Sequence, residues 1–142
     1  MGRVQIVMDK NDIDGTIAHM GNRGPFDWGK VFGDDLNRIV SEHITFHVKE
    51  GRKIIMLSGR DSSCRKETQD WLEFYGLPYD ELHMRPAGDF RKDTIIKREI
   101  YNNEIKNNYN VLCVYDDRLS VLDMWNKEGL FTFNVNQGNQ SF

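Results

Sequence analysis

Cysteine is scarce in this sequence: Cys64 and Cys113 are the two thiols among 142 residues, too few for a disulfide framework. Neither stands in a CxxC pair or a Cys/His zinc spacing, so plain thiols in a reducing, cytoplasmic setting are expected. Long apolar runs are missing too. No stretch approaches the roughly 18 residues of a membrane span, and the N-terminus carries no hydrophobic signal segment, so no membrane partner is expected. Met1-Gly2 opens like a myristoylation signal, but Ile6 stands where that motif wants Ser or Thr. Nor is there a large excess of one charge: 19 basic against 22 acidic residues leave a net of -3. Broad electrostatic capture of a long duplex is thereby set aside, and a nucleic-acid partner would have to be gripped locally, near its end. There is no internal repeat, low-complexity tract or GxxxxGK[ST] phosphate loop.

What is present fits one domain spanning residues 1–142, with ordinary apolar content and ample aromatics. Val4-Gln-Ile-Val-Met8 reads as a buried strand, followed by an acidic turn and the Gly- and Pro-rich loop Met20 to Asp27. Leu36, Ile39, Val40, Ile44 and Val48 approximate helical spacing, ending before Gly51, where a left-handed cap is plausible. A second strand runs from Lys53 through Ile54-Ile-Met-Leu57 and into the turn Ser58-Gly-Arg60. Thr68, Trp71, Leu72 and Tyr75 mark a helix stopped by Gly76 and Pro78, with a short strand at Leu82 to Met84 after it. Ile95, Ile96, Ile100 and Ile105 carry a longer helix, and Val111 to Tyr115 a strand that runs into Asp116-Asp-Arg118. Val121, Leu122 and Trp125 carry a helix ending near Gly129, and Phe131 to Val135 a last strand before a tail expected to fray. Strands alternating with helices predict an α/β fold, a Rossmann-like parallel sheet covered on both faces, with ligands gathering beyond the carboxyl ends of the strands.

Four polar clusters fall at those ends. Asp12-Ile-Asp-Gly-Thr16 sets two carboxylates two residues apart on a turn where Gly15 and Thr16 offer an amide and a hydroxyl. That spacing suits Asp12 for attack on phosphorus and Asp14 for moving a proton. A phosphate monoester carries about two negative charges near neutrality, so a carboxylate nucleophile needs a cation to suppress repulsion. Asp12 and Asp117, with the Asp14 carbonyl and water, would give Mg2+ its preferred oxygen shell; Asp116 is the alternative ligand. Ser58 and Gly59 stand where a phosphoryl oxygen could be held. A cation from the Arg91 to Lys97 segment, Lys97 before Lys92, could neutralise the transferring group, with Asp93 orienting it.

These clusters, in this order, resemble the haloacid dehalogenase-like (HAD-like) phosphohydrolases, whose nucleophile motif is Asp-x-Asp-Gly-Thr. His19 to Trp28, Ser58-Gly-Arg-Asp61 with Cys64 to Thr68, Leu82 to Pro86 with Asp89 to Asp93, Val114 to Arg118 and Val121 to Trp125 are more specific. Together they resemble the 3'-phosphatase domain of phage-type polynucleotide kinase-phosphatase, over about Val4 to Gly138. The interval from Ala18 to Asp34 is too short for a separate lid, so no large cap domain is expected. The resemblance implies Asp12 as nucleophile, Asp14 as acid/base, and Arg23 and Arg60 as cations near the phosphate. Asp93 and Asp117 complete the acidic set. Arg85 and Lys97 match further basic positions, and Asp116 and Arg118 match the flanks of the last acidic motif. The implied reaction removes a 3'-phosphate from DNA or RNA ends through an aspartyl-phosphate, leaves a 3'-hydroxyl and uses Mg2+: end healing in nucleic-acid repair, without the kinase half. The sequence departs from the family where Asp9-Lys-Asn11 separates the apolar strand from Asp12.

Blander readings of several of these residues exist. Asp9 to Gly15 looks like a calcium loop, but with Gly15 at loop position 6 the twelfth position falls on Gly21, not an acid. His43 and His47 share a helix face without a third zinc ligand. Each cluster alone reads as a capping turn; their combination carries the functional reading. The alternatives are a phosphatase of nucleotides or other small phosphate esters, and a non-catalytic phosphate-end-binding module. A homo-oligomer is compatible with the sequence, and Phe26 or Trp28 is offered as a surface for the adjoining nucleotide.

Overall fold

Apolar runs flanked by amphipathic segments become five parallel strands in the computed structural model, which describes residues 38–135 throughout and the backbone of residues 4–9, 18–19 and 35–36. The sheet strands are β1 (Val4–Asp9), β4 (Lys53–Asp61), β5 (Glu81–Arg85), β6 (Asn110–Asp116) and β7 (Thr132–Asn134), in the spatial order β5-β4-β1-β6-β7. Every neighbouring pair is parallel. Between β1 and the first helix, the described residues hold a short antiparallel ribbon of β2 (Ala18–His19) and β3 (Asp35–Leu36).

Helices cover both faces, for a reason visible in β4. Its residues Ile54 to Leu57 are all buried, and successive side chains on a strand point to opposite faces. Ile54 and Met56 join Val40 and Ile44 of α1 (Arg38–Lys49) and Trp71 and Leu72 of α2 (Arg65–Phe74). Ile55 and Leu57 join Val114, and Val121, Met124 and Trp125 of α4 (Leu119–Lys127), on the other side. Tyr101 and Ile105 complete that second cluster from the π-helical turn that extends α3 (Asp93–Ile100).

Three details depart from the sequence-based expectation. Leu36 belongs to β3 and pairs with Ala18; the helix starts at Arg38 and buries Val40, Ile44 and His47, leaving Ile39 and Val48 exposed. Apolar spacing alone placed the stripe one residue off, because a buried histidine completes it. In α3 the inward stripe is Ile96 and Lys97 followed by Tyr101, while Ile95 faces solvent. The segment Ser58-Gly-Arg60 is not a turn beyond β4 but its last residues, with the pairing to β5 shifting between Ser58 and Asp61. The anticipated left-handed cap at Gly51 is present, with φ 81°.

Candidate active site

The carboxyl ends of β4, β5 and β6 and the amino ends of α3 and α4 meet at one edge of the sheet, so residues far apart in the chain become neighbours there. Ser58, fully buried in β4, accepts from the Arg60 amide at 3.0 Å. Arg60 is itself buried and donates to Thr68 Oγ1 of α2 at 3.3 Å. Thr68 in turn donates to the Cys64 carbonyl at 2.9 Å, which fixes the acceptor that the guanidinium meets.

Asp93, the first residue of α3, is the hub of the arrangement. Its carboxylate accepts from Arg85 of β5 and, at 2.6 Å, from Arg118 before α4, and lies 3.8 Å from the Lys97 ammonium one helical turn on. Lys97 is fully buried, and burial pulls its pKa down to about 8, with Arg118 adding to the effect and Asp116 and Asp117 opposing it. A cation held in so dry a place acts on its surroundings with little screening.

Asp116 and Asp117 are both buried at the end of β6. Asp116 Oδ1 accepts from the Arg118 amide at 3.0 Å, whereas its Oδ2 is buried with no hydrogen-bond partner among the described residues. Burial raises the Asp116 pKa, against the pull of Lys97, the amides of Arg118 and Asp117, and the Trp125 indole. A buried carboxylate oxygen of this kind suits a hard cation such as Mg2+. The described residues by themselves form no cluster of three acidic, histidine or cysteine ligands, so further oxygens would have to come from outside them.

Of the residues predicted from sequence, Ser58, Gly59, Arg60, Arg85, Asp93, Lys97, Asp116, Asp117 and Arg118 are brought to this edge. Asp12, Asp14, Thr16 and Arg23 lie outside the described residues, as do Phe26 and Trp28. The strand that leads to them is described up to Asp9, whose backbone is in register with Leu57, one residue before Ser58, while Met8 is in register with Tyr115, one before Asp116. Asp9 therefore holds the strand-end place.

Arg85 is committed to protein groups. Its Nε donates to the Gly59 carbonyl at 2.9 Å, Nη1 to the Asp89 carbonyl at 3.0 Å and to that of Arg91, and Nη2 to Asp93. Through these bonds it ties β4, β5 and α3 together. Asp61 and Thr68 take positions in the site's framework that motif membership alone does not assign them. Asp61 accepts from the Ser63 amide at 2.8 Å and from the Gly88 amide at 3.1 Å, bonds that lower its pKa and fasten the β5–α3 loop to β4. An acid before Ser62-Ser63 is a capping signal, which could have marked the first bond but not the second.

The family described as the polynucleotide kinase PNKP phosphatase domain matches residues 6–140. A provisionally named bifunctional polynucleotide kinase/RNA ligase of Autographa californica nuclear polyhedrosis virus is 34% identical over 128 residues, covering 87% of this chain and 18% of that protein. Chains from two solved Pnkp1/Rnl/Hen1 complexes, the second described as an RNA repair complex, superpose with TM-scores of 0.88 and 0.87 at 36% and 37% identity. They cover 98% and 97% of this chain but 48% and 44% of their own lengths, so this chain spans about half of each. The class C acid phosphatase from Bacillus anthracis shares the fold, with a TM-score of 0.66 at 13% identity over 99% of this chain and 69% of its own.

Proposed function

The chain belongs to the polynucleotide kinase PNKP phosphatase domain family, and from that premise we propose that it is a Mg2+-dependent polynucleotide 3'-phosphatase. It removes the phosphate from the 3' end of DNA or RNA and leaves a 3'-hydroxyl. The observation that carries this reading is the convergence of Ser58, Asp93, Lys97, Asp116 and Asp117 on one edge of a phosphatase-family sheet.

In this reading an Asp12 carboxylate oxygen attacks phosphorus, the bond to the 3'-oxygen breaks, and Asp14 gives its proton to the departing oxygen. Water, deprotonated by Asp14, then attacks the aspartyl-phosphate and releases inorganic phosphate, restoring both carboxyl groups. Ser58 donates to a phosphoryl oxygen, and Lys97 offsets charge on the transferring group from its buried position. Arg23, Arg60 and Thr16 are the further phosphate-side groups. Asp117 or Asp116, with Asp12 and the Asp14 carbonyl, would hold Mg2+, which when bound lowers the repulsion between nucleophile and phosphate. Asp93 takes the role of a positioning residue, since Arg85, Arg118 and Lys97 all converge on it.

The test is phosphate release from matched 3'- and 5'-phosphorylated oligonucleotides, with and without Mg2+. Release confined to the 3'-phosphorylated substrate and to reactions containing Mg2+ is expected. Preference for a sugar phosphate or a mononucleotide would instead make the chain a small-ester phosphatase.

A further inference from the structure

Phe90, in the loop between β5 and α3, is 91% exposed, the most exposed large apolar side chain among the described residues. An isolated exposed apolar residue is ordinary in itself. What sets Phe90 apart is how firmly its support is held. Arg85 Nη1 donates to the carbonyls on both sides of it, those of Asp89 and Arg91. The Arg91 amide and guanidinium close onto the Asp89 carboxylate at 3.1 and 2.7 Å, and the same guanidinium reaches Glu99 of α3 at 2.9 Å. Just before, the Gly88 amide is fastened to Asp61. A loop pinned at four points thus presents one bare aromatic ring to solvent, and this rigidity keeps the ordering cost of a ligand contact low.

Its place matters as much. The guanidinium that clamps the loop also binds Asp93 and the Gly59 carbonyl, so ring and site hang on one side chain. Phe90 is three residues from Asp93, at most about 11 Å between Cα atoms. With successive bases about 3.4 Å apart along a strand, a base within a few nucleotides of the terminal phosphate falls in reach. Lys92, exposed two residues on, offers charge to the polymer backbone. Every base has a π face, so stacking on a fixed ring grips a strand without reading its sequence.

We infer that Phe90 is a stacking platform for an unpaired nucleobase close to the phosphorylated end. This rests on the phosphatase reading above. A base within a duplex has both faces occupied by its neighbours; an unpaired one is free to leave the stack and lie on the ring.

The experiment compares wild type, Phe90→Ala and Phe90→Tyr on three substrates with Mg2+. These are a single-stranded 3'-phosphorylated oligonucleotide, the same oligonucleotide with abasic residues in its last three positions, and p-nitrophenyl phosphate. Phe90→Ala should lower the ratio of kcat/KM for the oligonucleotide to that for p-nitrophenyl phosphate by roughly 5-fold to 150-fold, the range for one base stack. Phe90→Tyr should restore it. Abasic residues should cost wild type the same factor and cost Phe90→Ala little more. A wild-type ratio in Phe90→Ala, or an equal abasic penalty in both proteins, overturns the stacking site while leaving the phosphatase reading intact. Absence of phosphate release from all three substrates by wild type overturns that reading instead, and this inference with it.

Discussion

Gly59 and Asp93 stand so close that a Cβ on Gly59 would lie 2.6 Å from Asp93 Oδ1 and 3.2 Å from Cγ and Oδ2. The carboxylate cannot simply swing away, because Arg85 and Arg118 hold it from two sides. The β4 strand end is thus shaped around the first residue of α3. Gly59→Ala should cost about 1 to 3 kcal/mol of stability, as overpacking does. Misplacing a positioning group by about 1 Å should lower turnover on the order of 100-fold. Thermal unfolding and kcat/KM check both; wild-type values for the variant would show that Asp93 adapts freely.

Arg85 joins β4, the β5–α3 loop and Asp93 through one planar fork, a geometry that a lysine's single ammonium cannot reproduce. On p-nitrophenyl phosphate, which has no bases to lie on the Phe90 ring, Arg85→Lys should therefore behave nearly as badly as Arg85→Ala, with a fall in kcat and little change in KM, since Asp93, the group it orients at the site, positions other groups. A selective rise in KM would return Arg85 to the phosphate.

Two aspartates compete for the nucleophile's place. The Asp-x-Asp spacing belongs to Asp12 and Asp14, whereas the strand-end position in register with the β4 and β6 termini belongs to Asp9. Asp12→Asn is expected to abolish phosphate release with the fold retained, and Asp9→Asn to leave measurable turnover. The reverse pattern, scored by phosphate release and circular dichroism, would move the attacking carboxylate to the strand end and place the extra residues after it.

His47 predicts a pH dependence of stability. Burial lowers its pKa, with the Arg52 and His43 charges adding to the effect. Arg52 donates to His47 Nδ1 at 3.0 Å, so the proton of the neutral ring sits on Nε2 and is donated to the Tyr115 hydroxyl at 3.1 Å, which in turn donates to His43 Nδ1 at 2.8 Å. Cys113 completes the surroundings, its thiol pushed up to about 11 by burial. A second proton on His47 would break the Arg52 bond. Because the folded pKa lies below the unfolded value of about 6.5, the unfolded chain takes up the proton first. Stability should hold above that pH and fall as the pH drops below it, until the folded ring also protonates. Urea unfolding at pH 7.5 and 5.5 should show the loss, and His47→Gln should reduce it; an equal loss in the variant would exonerate His47.

Much of the architecture was legible because it rests on local rules. Alternating apolar runs and amphipathic segments are dictated by burial on a covered parallel sheet, and Gly51 announced its own cap. The first helix is less legible: Leu36 fits its apolar spacing but lies in β3, and the stripe is completed by His47, a polar residue bonded to Tyr115, 68 residues away.

The sequence by itself determined the inventory: which carboxylates, cations and hydroxyls were available, and that they cluster where strands end. Tertiary structure decided the division of labour among them. Arg85 reads as one more basic residue until folding surrounds it with three carbonyls and Asp93, and Lys97 becomes a weakened base only once α3 buries it. Phe90 likewise looks like core material in a list of residues, and stays outside because the loop beneath it is pinned to β4 and α3. Burial and hydrogen-bond partnership are set by neighbours distant in the chain, which is why composition and spacing name the groups and only the packed chain assigns their roles.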